Sequence, residues 1–262
     1  MLWLNLPLNP VCVVSVGSVQ MELDLRDENQ RDFYAEVYET QEVAFLRKLL
    51  RPGQTVIDVG ANIGYITCVA LDKVGPSGQV HAFEPVPEYF HRLERQAQLN
   101  PGFRVFPVNC AAGKEEGVMS ISLSNDGNIG WNTLVPGFMP PEQIRQQVSV
   151  RVRALDDYIG EAGLEMVHFI KIDAEGFEFY VLQGLRNCLR SYRPILLCEV
   201  APAAYPLLGC TLTDVREFLY EMQCQTTDLE LRPLELEALE RSTNILLLPI
   251  ERRGALVSRM PS

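Results

Sequence analysis

Two short runs concentrate the residue types that chemistry needs. In the first, DVGANIG, Asp58, Gly60, Ala61, Asn62 and Gly64 follow directly on the apolar run TVIDV. The glycines permit a sharp strand-to-helix turn and close approach of a ligand to the backbone, and the helix beyond them offers free N–H groups to an anion. In the second, Glu84 and Pro85 close the next apolar run. A carboxylate about twenty residues beyond a glycine turn can accept hydrogen bonds from both hydroxyls of a ribose. A nucleoside cofactor is the expected occupant. A dinucleotide would call for Gly-x-Gly-x-x-Gly, whereas Asn62 and Tyr65 stand where the second and third glycines belong. Asp58, inside the strand, sits awkwardly beside a pyrophosphate and suits a cation, as in the sulfonium and ammonium groups of S-adenosylmethionine.

Three further acids follow two later apolar runs: Asp173 and Glu175 after HFIKI, and Glu199 near the end of PILLCEV. If a methyl group passes from a sulfonium to an alcohol, the displacement is in line and mostly a matter of positioning, but the hydroxyl proton needs a base. These acids are the catalytic candidates. Glu175 could equally cap the helix expected from Phe177, and Glu199 could be the buried partner of an amide or an arginine. Lys171 is placed to pair with one of them, and His168 reads as structural. Trp131, Phe138 and Met139 lie in the Gly/Asn/Pro-rich stretch 124–143, which is long for a simple connection. Trp131 and Phe138 could stack on an acceptor such as a sugar ring, or the stretch could be pinned to the core by its apolar residues.

The elements that must hold these residues alternate between strand and helix. Strands are expected at 55–59, 79–83, 104–109, 168–173, 194–200 and 244–249, and helices at 63–73, 87–99, 177–188 and 214–222, the last capped by Thr213. Residues 34–50 read as one helix, 11–16 and 21–25 as two strands around Gly17-Ser18, and 118–123 and 148–153 as half-exposed strands. Strands separated by helix-length segments predict a doubly wound, mainly parallel α/β sheet, with the ligand crevice outside the carboxyl ends of the strands. The expected organisation is an N-terminal strand-and-helix extension over 1–50, one α/β domain over 51–250 and a tail over 251–262.

VIDVGANIGYIT, HAFEPVPEYF, NCAAG, IKIDAEGFE and TNILLLP, in this order, resemble the FkbM-type family of S-adenosylmethionine-dependent methyltransferases. The similarity runs from about residue 38 to 250. The first motif is shared widely among class I methyltransferases, and IDAEGFE followed by a helix containing Gly184 is more particular. The resemblance implies a seven-stranded Rossmann-like sheet and methyl transfer to a hydroxyl of a saccharide or secondary metabolite. It places Asp58, Gly60, Asn62 and Gly64 around the methionine end of the cofactor, Glu84 on the ribose, and Asn109, Cys110 and Ala111 beside the adenine. Asp173 falls near the methyl donor.

Composition sets outer bounds. Lys and Arg number 23 against 34 Asp and Glu, a net charge of −11, which argues against a nucleic-acid partner and against a polyanionic acceptor. The hydrophobic fraction of 47% is enough for a folded core. Seven cysteines with no C-x-x-C pair indicate neither a zinc cage nor a disulfide framework and fit a reducing, cytoplasmic setting. No complete set of metal ligands can be assembled. The uncharged first 21 residues are interrupted by Pro7, Asn9 and Pro10, so a membrane span is not expected, and the N-terminal strands could pair with a second copy through an exposed edge. A Rossmann oxidoreductase and a non-catalytic binding protein of the same fold are the competing expectations.

Overall fold

The computed structural model describes residues 9–125 and 131–259. The chain first forms an antiparallel hairpin, β1 (Val11–Val16) and β2 (Val19–Asp24), turned at Gly17-Ser18. A separate helix that was not expected, α1 (Glu28–Tyr34), comes next, and the helix expected over 34–50 is confined to α2 (Thr40–Leu49). The break falls at Glu36 and Glu39, both left-handed with φ of 54° and 41°. A left-handed residue cannot continue a right-handed helix, and this one redirects Tyr38 and Glu39 toward the interior.

The next elements keep to the expected alternation: β3 (Thr55–Val59), α3 (Tyr65–Val74), β4 (Gln79–Phe83), α4 (Pro87–Leu99) and β5 (Val105–Val108). Then β6 (Ala111–Gly113), β7 (Gly117–Ser124), β8 (Asn132–Thr133) and β9 (Ile144–Ala154) make a separate four-stranded sheet in the order β6-β9-β7-β8. The two alternating runs are its long antiparallel pair, β7 and β9. Helix α5 (Leu155–Glu161) leads to β10 (Phe169–Ile172).

The helix expected over 177–188 is split into α6 (Glu178–Gln183) and α7 (Arg186–Ser191). At the break, a Cβ on Gly184 would stand 2.0 Å from the Gly113 carbonyl oxygen, so the helix can bend against β6 only because it carries glycine there. After β11 (Ile195–Val200) comes α8 (Leu212–Glu221), whose cap is Thr211 and not Thr213. Thr211 and Asp214 form a reciprocal capping box, in which Asp214 Oδ2 accepts from Thr211 N at 2.7 Å, and this Thr-x-x-Asp spacing fixes the start. The described chain closes with β12 (Cys224–Thr227), β13 (Thr243–Pro249) and α9 (Arg253–Arg259).

The large sheet has the order β12-β13-β11-β10-β3-β4-β5 and is mixed: β13 runs antiparallel to both of its neighbours. The segment between β12 and β13 lacks the covering α-helix that a parallel return would need. Strand order reverses between β3 and β10, which pair in parallel, and a crevice opens outside their carboxyl ends. No helix among the described residues is long and apolar enough to cross a membrane.

The hairpin shares the core of the sheet. Val19, Met21 and Leu23 are fully buried in the same cluster as Leu71 and Phe83. The edge of β2 turned away from β1 is closed by side-chain amides of α4. Gln20 N donates to Asn100 Oδ1 at 2.8 Å while Asn100 Nδ2 donates to Gln20 O at 2.7 Å, and Gln96 treats Glu22 likewise at 2.8 and 3.1 Å. An edge free to meet a second copy would therefore be that of β1, where Val11 and Val13 are exposed. Replacing Asn100 with Ala strands a buried amide pair, so we expect Asn100→Ala to lower unfolding stability by about 1–3 kcal/mol in urea titrations; an unchanged midpoint would show that the hairpin is not held in this way.

Candidate functional site

At the end of β3 the chain turns through Gly60, Asn62 and Gly64, all with positive φ (77°, 52° and 95°). Gly60 has no alternative, since a Cβ there would lie 1.8 Å from the Asp173 carbonyl oxygen across the crevice. Gly60 N and Ala61 N both donate to Phe83 O, folding the turn onto the end of β4. Glu84 is the hub of this corner. Its Oε2 accepts from Asn62 N at 2.9 Å, and its Oε1 accepts from Val86 N at 2.8 Å. Asn109 Nδ2 donates to the Glu84 and Pro85 carbonyls at 2.9 and 3.2 Å, fixing the corner from behind.

A cavity of about 950 Å³, counting its open mouth, lies over this turn. Of the residues singled out in the sequence, Gly60, Ala61, Asn62, Glu84, Pro85, Cys110, Ala111, Asp173 and Glu175 line it. Asp58, Gly64, Asn109, Glu199, Trp131 and Phe138 do not. Asp58 is buried beneath the floor, where its Oδ2 accepts from Thr67 Oγ1 at 2.6 Å and its Oδ1 has no partner among the described residues. Gly64 instead admits α4, since a Cβ there would meet Leu93 at 2.8 Å. In the 124–143 stretch, of which 126–130 lie outside the described residues, Met139 is buried and Phe138 packs on the core beside Gly176, so these two anchor the segment. Trp131 is half-buried.

The acids gather on the other side of the crevice. Carboxylate oxygens of Asp173, Glu175 and Glu199 come within 4.8 Å of one another. Such a set could take a hard divalent ion, and it is equally able to hold protons. Burial, then the like charges of Asp173, Glu199 and Glu178, pushes Glu175 up to about 10; burial and Asp173 push Glu199 up to about 8. Lys171 supplies the opposing charge. Fully buried on β10 opposite Asp58, it donates to Asp173 Oδ2 at 2.8 Å and stands 3.8 Å from Glu39 Oε2. Burial alone would depress its pKa, but Asp173, Glu39 and Asp58 outweigh this and raise it, so Lys171 stays an ammonium.

Several residues at this site have no forerunner in the sequence reading. Asn29, Phe33 and Tyr38 from the N-terminal segment line the cavity with Tyr65. Phe33 stacks on Tyr65 with ring centroids 4.6 Å apart and meets Tyr38 edge-on at 4.7 Å. A helix through 34–50 would have left Tyr38 and Glu39 without this placement; their signal was the run of aromatics, not the period. Glu178, the last residue of IDAEGFE, is fully buried, and its Oε1 accepts from Ala174 N and Gly176 N at 3.1 and 2.9 Å. It therefore braces the turn that carries Glu175, itself left-handed at φ 48°.

The Methyltransferase FkbM domain matches residues 58–225, which span both the glycine turn and the acid cluster. The chain belongs to the FkbM methyltransferase family. The 31-O-demethyl-FK506 methyltransferase FkbM of Streptomyces tacrolimicus is 31% identical over 169 residues, covering 53% of this chain and 62% of that protein. The hexuronic acid methyltransferase AglP of Haloferax volcanii is 26% identical over 169 residues, 64% of this chain and 62% of that one. This chain thus spans less than two thirds of these relatives. The solved FkbM methyltransferase of Methylobacillus flagellatus KT aligns over 84% of this chain and 54% of that one, with a TM-score of 0.47 and 19% identity.

The family is one of S-adenosylmethionine-dependent methyltransferases, and the large sheet of this chain has a Rossmann-like strand order. The oxidoreductase expectation falls away. The cavity fits that cofactor chemically: Asp173 on its wall and Asp58 beneath would answer the two cationic groups, Glu84 would meet the ribose, and Phe83, Val86 and Leu134 offer apolar wall to a base. Glu84 and Glu178, both fully buried, are pushed up to about 7 by desolvation against the hydrogen bonds they accept. Each binds its proton more tightly folded than unfolded, where the ordinary value is near 4.5. Folding therefore takes up protons, and this contribution to stability is lost as pH rises from about 4.5 through 7. We expect urea-unfolding stability of the cofactor-free protein to fall by on the order of a few kcal/mol across that window, less steeply in Glu84→Gln. A stability that rises from pH 5 to 7 would contradict it.

Proposed function

We propose that this FkbM-family methyltransferase acts on oxygen, passing a methyl group to a hydroxyl of a saccharide or a small secondary metabolite. The observation that carries the reading is the gathering of Asp173, Glu175 and Glu199 within 4.8 Å at the lip of the cofactor cavity. Hydroxyl acceptors need a proton acceptor in the transition state, and an acid cluster supplies one. A crowded acidic lip also disfavours anionic acceptors, in keeping with a net charge of −11. Names among the relatives support the direction: NoeI of Sinorhizobium fredii is called a 2-O-methyltransferase and is 28% identical over 155 residues, 55% of this chain and 63% of that one.

In the mechanism we propose, Glu84 accepts the ribose hydroxyls, and Asp58 contributes field from beneath the floor. Gly60, Ala61, Asn62 and Gly64 shape the turn around the methionine end. Pro85, Asn109, Cys110 and Ala111 form the adenine side, with Asn109 acting through its grip on the Glu84-Pro85 backbone. S-adenosylmethionine, when bound, supplies a methyl carbon already activated by its sulfonium. Lys171 holds Asp173 through Oδ2, leaving Oδ1 to take the acceptor's hydroxyl proton. Glu175 and Glu199, with raised proton affinities, hold protons beside it and keep the cluster from accumulating charge. The acceptor lies toward the segment bearing Trp131 and Phe138, which is tied to the acids where Thr133 Oγ1 donates to Glu175 O at 2.7 Å.

Asp173→Asn retains the shape of the side chain but not its basicity. We expect it to bind S-adenosylmethionine within a few fold of the parent and to lose about 10²–10⁴ in turnover on a saccharide or polyol acceptor. Mass spectrometry should show a methyl adduct that survives mild alkali, as an ether does and a carboxyl ester does not. Turnover near the parental rate in the variant would remove Asp173 from the proton transfer, and an alkali-labile product would overturn hydroxyl methylation.

A further inference from the structure

A second cavity, of about 820 Å³ including its mouth, lies at the opposite end of the strands from the cofactor. It sits where β3, β10 and β11 begin, between the end of α2 and the start of α9. Its apolar wall is Leu49, Leu50, Phe169, Ile195 and Leu256. Its polar groups are Lys48, Arg51, Gln54, His168 and Arg252, with no carboxylate among the described lining residues. In a protein of net charge −11, three cations and no acid around one cavity is a reversal of the general composition.

The hydrogen bonds leave these groups able to donate. His168 Nδ1 accepts from Thr55 N at 3.0 Å, which puts the ring proton of the neutral tautomer on Nε2. Burial, then Arg252, lowers the pKa of His168, in keeping with a neutral ring there. Arg51 spends Nη1 on the Lys48 and Leu50 carbonyls at the end of α2, at 2.6 and 2.9 Å, so that its guanidinium is held in place with Nη2 and Nε in reserve. Arg252 makes one long contact, Nη2 to Tyr192 O at 3.4 Å. Lys48 and Arg51 have no acidic partner among the described residues, and Arg252 feels only the neighbouring Glu251, whose carboxylate is engaged by Arg193 at 2.9 Å. Gathering like charges beside a low-dielectric wall is unfavourable unless an anion joins them. The combination of convergent cationic donors and apolar wall is that of a site for an amphiphile with an anionic head.

We propose that this cavity is a second ligand site, separate from the methyl-transfer site, for a molecule that carries a carboxylate or phosphate oxyanion on an apolar body. Arg252, Lys48 and the free donors of Arg51 take the oxyanion, His168 Nε2–H adds a neutral donor, and the chain lies along Leu49, Phe169, Ile195 and Leu256. The site shares β3 and β10 with the catalytic crevice: Thr55 and Asp58 are on one, and Phe169 and Lys171 on the other. Occupancy at this end therefore bears on the strands that position the acids at the other.

Calorimetry on the full chain with decanoate, decyl phosphate, decanol and inorganic phosphate tests the assignment. One or both alkyl anions should saturate the protein at least about tenfold more tightly than decanol or inorganic phosphate, and the stronger of the two identifies the head group. Arg252→Gln should weaken that binding about tenfold, and Ala255→Trp, which fills the mouth from an exposed position on α9, should abolish it. Both variants should bind S-adenosylmethionine within about twofold of the parent, showing that the fold and the first site are intact. Decanol binding as tightly as the anions, anion binding unchanged in both variants, or no saturable binding of either alkyl anion would overturn the proposal.

Discussion

The site depends on one buried cation. Lys171 sits in the middle of the sheet with almost no exposure, opposite Asp58 on β3, against Asp173 at the end of its own strand, and near Glu39 from the N-terminal segment. A lysine there is expensive to desolvate and survives only because acids converge on it, while those acids tolerate one another only because it is there. Removing it would leave a cluster of carboxylates that could relieve their repulsion only by taking up protons. The same ammonium thus ties β3, β10 and the segment before α2 into one corner, and it sets the electrostatic character of the crevice.

That corner is deliberately left short of positive charge. Asp58, Asp173, Glu39, Glu175 and Glu199 face one ammonium, and the raised proton affinities of Glu175 and Glu199 show how the excess is absorbed in the free protein. A cationic cofactor would meet a field already arranged for it, one that needs no reorganisation as charge leaves a sulfonium. The same imbalance suits S-adenosylmethionine better than a dinucleotide. A pyrophosphate would be repelled by the acids that a sulfonium and an ammonium complete.

Much of this was legible in the sequence wherever local chemistry decides structure. TVIDV, QVHAF and the helix from Pro87 to Leu99 emerge with the bounds that their apolar runs and flanking breakers imply. The glycine turn, Glu84 and the three acids are brought to one crevice because residues just after parallel strands converge there whatever the rest of the chain does. What was not legible depends on partners distant in sequence. Glu39 and Tyr38 lie in a run with good helical character, and only the crevice they reach accounts for a left-handed break. Gly184 reads as a weak helix residue until the Gly113 carbonyl that it accommodates is seen. The reversal of β13 is invisible in NILLLP, since an apolar run does not record its direction, and the acidic run Glu235, Glu237 and Glu240 reads as a solvated helix face where the structure has only a single 3-10 turn, Leu236–Ala238. Thr213 has the residue type of a cap, but the acid three residues after Thr211 marks Thr211 as the cap.

Net composition is the poorest guide of all to the local field. A charge of −11 argues against polyanions as a class, yet it averages over two ends of one sheet with opposite character. At the carboxyl ends of β3 and β10, acids outnumber a single ammonium; at their amino ends, Lys48, Arg51 and Arg252 line a cavity with no acid among its described lining residues. Parallel strands make this separation inexpensive, because residues at opposite ends of one strand are more than a Debye length apart once solvent lies between them, at roughly 8 Å in physiological salt. Two ligands of opposite sign can then be served by the same pair of strands, each by the residues where the strands begin or end and neither by the average.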